Sequence, residues 1–266
     1  MLTERLITTV IFVPILFLAV YFGGASFLIF VAGTAILGLT EFYDLQRKRS
    51  NPQYEIGIFI SFLLCISIYR KIFSPIFILI IFLLLSIIVE MFKAAFSKKK
   101  ERFSPTVNIA TTILGVLYVT FLMSYLFLIR EKGVRFLYLL FFGTWCCDAA
   151  AYFIGKKWGT FKLIPKVSPK KSLQGAIAGV CASLAVFLVA RLWVSDFSLE
   201  GSIILGLLTG IFTIFGDLCE SFLKRDVETK DSGDFIPGHG GILDRFDSLL
   251  FTAPLMYYYL STYYIY

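Results

Sequence analysis

"IFSPIFILIIFLLLSIIVEMF", Ile72 to Phe92, is 21 residues long and carries one charge, Glu90, near its end. At 1.5 Å per helical residue it reaches about 30 Å, the thickness of a bilayer's hydrocarbon core. Its apolarity is continuous, whereas the strands of a membrane barrel alternate in short segments, so it predicts a membrane-spanning helix. The rest of the chain agrees: 58% of residues are hydrophobic, 17% aromatic and only 16% charged. That balance places the protein in the membrane class and excludes an ordinary soluble domain.

Working outward from this run, the sequence predicts an all-α, polytopic integral membrane protein with about nine transmembrane helices. They fall near 6–22, 26–44, 55–69, 72–92, 106–129, 134–155, 174–195, 201–222 and 248–265. The third is short and bounded by Arg70 and Lys71, so it forms a tight hairpin with the fourth, and counts of eight and ten stay open. Basic residues orient the chain. With the N-terminus cytoplasmic, 19 of the 25 lysines and arginines lie on inside segments; the six others are Arg70, Lys71, Arg130, Lys132, Arg135 and Arg191. Cytoplasmic enrichment of this kind sets orientation, so the N-terminus is expected inside and the C-terminus outside. Arg5 and the apolar run after it resemble a signal peptide, but the run is longer than a usual signal core and cleavage is not expected.

The net charge of +7 needs no nucleic-acid partner, because cytoplasmic flanks facing anionic lipid account for it. Cys65, Cys146, Cys147, Cys181 and Cys219 lie in apolar spans without a C-x-x-C pair and read as small buried hydrophobes.

The two halves differ. Residues 1–130 read as scaffold helices, with Glu41 and Glu90 as acidic exceptions near cytoplasmic ends; residues 131–266 read as a catalytic region with polar loops at 156–173 and 223–247. Three clusters lie in the second half. In "TWCCDAAAYFIGKKWGT", Thr144 to Thr160, Asp148, Tyr152 and Gly155 share a helical face. An aspartate within a span implies a cavity, an ion or a basic partner. In "KLIPKVSPKKSLQG", Lys162 to Gly175, hydroxyls and ammonium groups of Ser168, Lys170, Lys171 and Ser172 precede a helix whose N-terminus favours an anion. The loop lacks G-x-x-x-x-G-K-[ST] and is not a Walker loop.

The third cluster runs from Asp217 through "KDSGDFIPGHGGILDRFDS", Lys230 to Ser248. Asp217, Glu220 and Lys224 share one face of the eighth span, and Asp244 and Asp247 share one at the entrance to the ninth. Pro237, Gly238, Gly240 and Gly241 break the helix between them and allow close backbone approach. Carboxylates from two helix ends can therefore converge. Such oxygen ligands suit Mg²⁺, which binds through one or two carboxylates and substrate phosphates. With Lys224, Arg225, Lys230 and Arg245 beside them, the acids form equipment for phosphoryl or nucleotidyl transfer.

These residues resemble the phosphatidate cytidylyltransferase, or CDP-diacylglycerol synthase, family. Its signature has the form S-x-φ-K-R-x4-K-D-x-small-x2-φ-P-x-H-G-G-φ-x-D-R-φ-D, with φ apolar. Ser221, Lys224, Arg225, Lys230, Asp231, Gly233, Ile236, Pro237, His239, Gly240, Gly241, Asp244, Arg245 and Asp247 fill its fixed places. Upstream, D-x-x-A-Y-x-x-G-[KR] is met by Asp148, Ala151, Tyr152, Gly155 and Lys156, and S-P-x-K-[ST] by Ser168, Pro169, Lys171 and Ser172. Cys219 departs from the hydroxyl or small residue expected there, outside the signature. The likeness covers roughly the last half of the chain.

The resemblance implies the reaction of CTP with phosphatidate, a membrane lipid, to give CDP-diacylglycerol and pyrophosphate, with one or two Mg²⁺ ions. It further implies that Asp217, Asp244 and Asp247 hold metal, that Lys170, Lys171, Lys224 and Arg225 contact phosphates, and that Asp148 and Asp231 are ligands or orient ligands. His239 bonds a phosphate or the leaving group, or clamps its loop; without a second histidine, zinc is not expected. Family analogy suggests a homodimer, and a bacterial plasma membrane with the site facing the cytoplasm is the expected home. The competing readings are a CTP-dependent lipid kinase, which would release CDP, and a transporter, which would more often show internal repeats and ionisable residues at midplane. The D-G-x2-A-R-x8-G-x3-D-x3-D pattern of CDP-alcohol phosphotransferases is missing.

Overall fold

Ser172, Ser198 and Pro105 mark helix starts by local chemistry. Ser172 Oγ and Ser198 Oγ accept the backbone N–H groups of Gly175 and Gly201 at 3.2 and 2.9 Å, and Pro105 occupies a first-turn position where its missing N–H costs nothing. The computed structural model describes residues 2–96, 104–194, 198–229, 232, 233 and 240–264; the side chains of residues 2–9 and of 11 are not described.

Ten α-helices follow in chain order among the described residues: α1 Leu2–Phe22, α2 Gly24–Gln46, α3 Tyr54–Arg70, α4 Pro75–Phe96, α5 Pro105–Gly115, α6 Leu122–Lys132, α7 Val134–Trp158, α8 Leu173–Ala190, α9 Leu199–Asp226 and α10 Leu243–Tyr263. A π-helical turn, Val116–Phe121, joins α5 to α6 in one continuous rod. The expected all-α membrane class holds. Among the described residues six rods are long and apolar enough to cross a bilayer: α2, α4, Pro105–Lys132, α7, α8 and the 28-residue α9. By contrast α3 has 17 residues, and α10 opens with Asp244, Arg245 and Asp247.

Element boundaries shift from the expected ones around the polar loops. The loop expected at 223–247 is shorter at both ends, because α9 runs on to Asp226 and α10 starts at Leu243. Lys224 and Arg225 in the last turn of α9 and Asp244 in the first turn of α10 each complement the helix dipole, which favours these extensions. The loop expected at 156–173 contains a small antiparallel hairpin, β1 Lys162–Ile164 and β2 Ser168–Ser172, with Lys162 opposite Ser172 and Ile164 opposite Ser168.

The chain packs as two compact units, Met1–Phe127 with Asp231–Leu243, and Leu128–Lys230 with Asp244–Tyr266. The first unit buries Phe27, Leu39, Phe42, Tyr43, Leu64 and Phe82 against one another's helices. Some of its buried polar groups pair locally. Tyr43 Oη donates to Thr112 O at 2.8 Å, and Gln53 Nε2 reaches Glu90 Oε1 at 3.0 Å. Lys93 Nζ and Asn108 Nδ2 complete the shell of Glu90 at 3.0 and 3.2 Å, so this buried acid is part of the scaffold. One side of α4 exposes Ile76, Phe77, Ile80, Leu84 and Ile88, as a lipid-facing helix does.

In the second unit, α7, α8 and α9 pack side by side through small residues. A Cβ on Gly179 would meet Cys147 O of α7 at 2.9 Å, and Gly210 of α9 lies equally close to Val180. Such contacts let membrane helices approach closely where no hydrophobic force draws them together. Ser248 Oγ of α10 donates to Thr213 O of α9 at 3.2 Å. The five cysteines are free; Cys65 and Cys147 are buried, but Cys181 is exposed on α8 rather than buried as expected.

Candidate active site

The lower half of α9 carries the acids. Asp217 and Glu220 stand three residues apart and so on one face, and α10 comes against that face because Gly216 has no side chain. A Cβ there would lie 2.6 Å from Asp247 O and 2.8 Å from Ser248 Cα. The close approach brings Asp247 to the α9 acids: carboxylate oxygens of Asp217, Glu220 and Asp247 all lie within 4.8 Å of one another. Glu220 is 2% and Asp247 8% exposed.

Carboxylates so placed need cations. Two ionised groups 4.8 Å apart repel by about 3 kcal/mol at an effective dielectric constant of ~20. The protein supplies two lysines. Lys224 Nζ lies 2.6 Å from Glu220 Oε2 and 2.6 Å from Asp244 Oδ1. Lys171 Nζ, from β2, lies 2.5 Å from Asp217 Oδ2, a charge contact rather than an aligned hydrogen bond. Asp247 Oδ1 also accepts the Ser248 N–H at 2.6 Å. Glu220 Oε1 remains buried without a hydrogen-bond partner among the described residues. An all-oxygen donor set with such an orphan atom fits a hard divalent cation such as Mg²⁺.

Beside the acids lies a cavity of about 690 Å³, walled by α7, the β1–β2 hairpin and the starts of α8 and the acidic turn of α9. Asp148, Tyr152 and Gly155, expected on one face of α7, do line it together. Lys156, Lys162, Lys170 and Lys171 bring positive charge to its walls, and Asp217 lines it as well. Lys171 thus belongs to both the cavity wall and the acidic centre.

The remaining expected residues are placed as follows. Ser172 lines the cavity but spends its hydroxyl on the N-terminus of α8. Ser168 is half-buried at the start of β2, and Ser221 half-buried on α9. Arg225 donates to Val167 O at 3.3 Å and Thr229 O at 3.2 Å, holding the hairpin turn to the end of α9. Arg245 is exposed on the first turn of α10. Asp244 sits on Lys224 rather than within the carboxylate triad, where Glu220 stands with Asp217 and Asp247. Lys230, Asp231 and His239, with Ile236, Pro237 and Gly238, lie outside the described residues.

Fold and site together define an integral membrane protein with a lysine-lined cavity beside a three-carboxylate centre. The family model for cytidylyltransferases matches residues 3–263. The chain belongs to that family. It is 32% identical over 97% of its length to a phosphatidate cytidylyltransferase of Synechocystis sp., covering 96% of that protein. It is 35% identical to one of Staphylococcus haemolyticus over 94% of both chains. A phosphatidate cytidylyltransferase of Staphylococcus aureus is 42% identical over 159 residues, 59% of this chain and 60% of that one.

Proposed function

We propose that this chain is a phosphatidate cytidylyltransferase of a bacterial plasma membrane, with the N-terminus inside, nine spans and the cavity open to the cytoplasm. The reading is carried by one juxtaposition: a lysine-lined cavity of nucleotide size that shares Asp217 with a three-carboxylate cluster. Positive walls suit a triphosphate, and the acids suit the cation that accompanies it.

A phosphate monoester with a second pKa near 6 is largely dianionic at neutral pH, so phosphatidate needs little help from a base. One of its phosphate oxygens attacks the α-phosphorus of CTP. The bond from that phosphorus to the oxygen bridging to the β-phosphorus breaks, and pyrophosphate leaves. Lys156, Lys162, Lys170 and Lys171 hold the triphosphate and offset the charge growing on the leaving group. Asp217, Glu220 and Asp247 would hold Mg²⁺, which when bound neutralises phosphate charge. Lys224 keeps Glu220 and Asp244 in place. Asp148, on the cavity wall, orients what enters it.

Purified protein in lipid–detergent micelles with CTP, phosphatidate and Mg²⁺ is expected to release pyrophosphate matched by CDP-diacylglycerol, and Asp217→Asn to abolish both. CDP in place of pyrophosphate would identify γ-phosphoryl transfer instead, and no nucleotide turnover would overturn an enzymatic reading.

A further inference from the structure

Glu41, in the helix that the sequence reads as scaffold, is buried at 6% exposure, and its contacts lie in the signature loop about 200 residues away. Oε1 accepts the backbone N–H of Ile242 at 2.8 Å and Oε2 that of Leu243 at 2.9 Å. Ser232 Oγ donates to Oε2 at 3.5 Å. The first N–H groups of a helix have no partner within it, and a carboxylate is the group that best satisfies them. Glu41 therefore acts as a remote cap on α10, and it grips the chain one residue before Asp244.

The glycines agree with this. A Cβ on Gly241 would come 2.5 Å from Glu41 Oε2 and closer still to Ser232 Oγ; one on Gly233 would meet Glu41 Cγ at 3.1 Å. Gly241 is thus required by the carboxylate it helps enclose, and Gly233 packs tightly against it.

We infer that Glu41 is a positioning residue for the cytidylyl transfer: it fixes the loop segment Gly240–Leu243 and with it the start of α10, without touching substrate. This rests on the function proposed above, but its first test does not. Hydrogen–deuterium exchange on the full chain in micelles reads the amides of Ile242 and Leu243 directly. In Glu41→Gln they should exchange at least tenfold faster, because the charge is lost and one of the two acceptor oxygens becomes an NH2 donor. Glu90→Gln, which also removes a buried carboxylate, should leave them unchanged. In the activity assay Glu41→Gln should lower kcat about tenfold or more with KM for CTP within about threefold, since the lysines of the cavity are untouched. Gly241→Ala, which keeps Glu41, should speed the same amides and lower kcat likewise, and is read if Glu41→Gln fails to fold. Unchanged exchange at Ile242 and Leu243, or activity lost only in proportion to folded protein, would overturn the inference. A wild-type chain without transferase activity would overturn the function and leave the exchange result standing.

Discussion

The ammonium of Lys224 has carboxylate oxygens 2.6 Å away on two sides, and only 12% of its side chain meets solvent. Lys224→Met would leave Glu220 and Asp244 facing each other uncompensated. Breaking a buried pair in this way costs about 3–5 kcal/mol, so the variant should show a clear loss of Tm in detergent. Glu220→Gln should do the opposite for stability and still be inactive. It relieves repulsion among the three acids while Lys224 keeps Asp244 as its counter-charge and can still donate to the Gln oxygen, so Tm without divalent cation should hold or rise, while turnover falls about 100-fold or more. Added Mg²⁺ should raise the Tm of the wild type, as any ligand of the folded state does, and leave that of Glu220→Gln unmoved. That Asp217, Glu220 and Lys224 share a face was legible in the sequence. Which of Asp244 and Asp247 would join them was not. Residues three apart on a helix differ by about 60° in direction, and spacing says nothing of how the helix is turned about its axis. In the structure that rotation sends Asp247 to the acids and Asp244 to Lys224.

Gly216 sets the distance between α9 and α10. A Cβ there would lie 2.6 Å from Asp247 O, so Gly216→Val should push the helices apart, with an overpacking cost of about 1–3 kcal/mol, and reduce turnover more steeply than Gly216→Ala. Thermal unfolding and pyrophosphate release on the same samples check both effects. Ser172→Ala should cost about 1 kcal/mol by removing the cap of α8, visible as a modest drop in Tm. At this scale the sequence predicted most helices, because long apolar runs leave little choice. It missed the β1–β2 hairpin, whose strands of 3 and 5 residues are too short for alternation to stand out. Nor did it show the tie from Glu41 to Ile242, since no local pattern links positions so far apart in the chain.

For the whole molecule the count of spans decides on which side each loop lies. Single cysteines placed at Lys166 and at Arg130 in a cysteine-free background should behave oppositely toward an impermeant thiol reagent. In intact cells the Arg130 position should label and the Lys166 position should not. Equal labelling would replace nine spans by an even count between the tested loops. The length of α9 carries a further consequence. From Leu199 to Asp217 is about 27 Å of helix, close to the thickness of the hydrocarbon core, so an upright α9 with Leu199 at one boundary would set the acids at the depth of the lipid headgroups. A lipid substrate would then reach the acids by diffusing sideways within its own leaflet. Its effective concentration is a mole fraction in two dimensions, so the rate should fall as inert detergent or lipid dilutes the surface, even when the bulk concentration of phosphatidate is held constant.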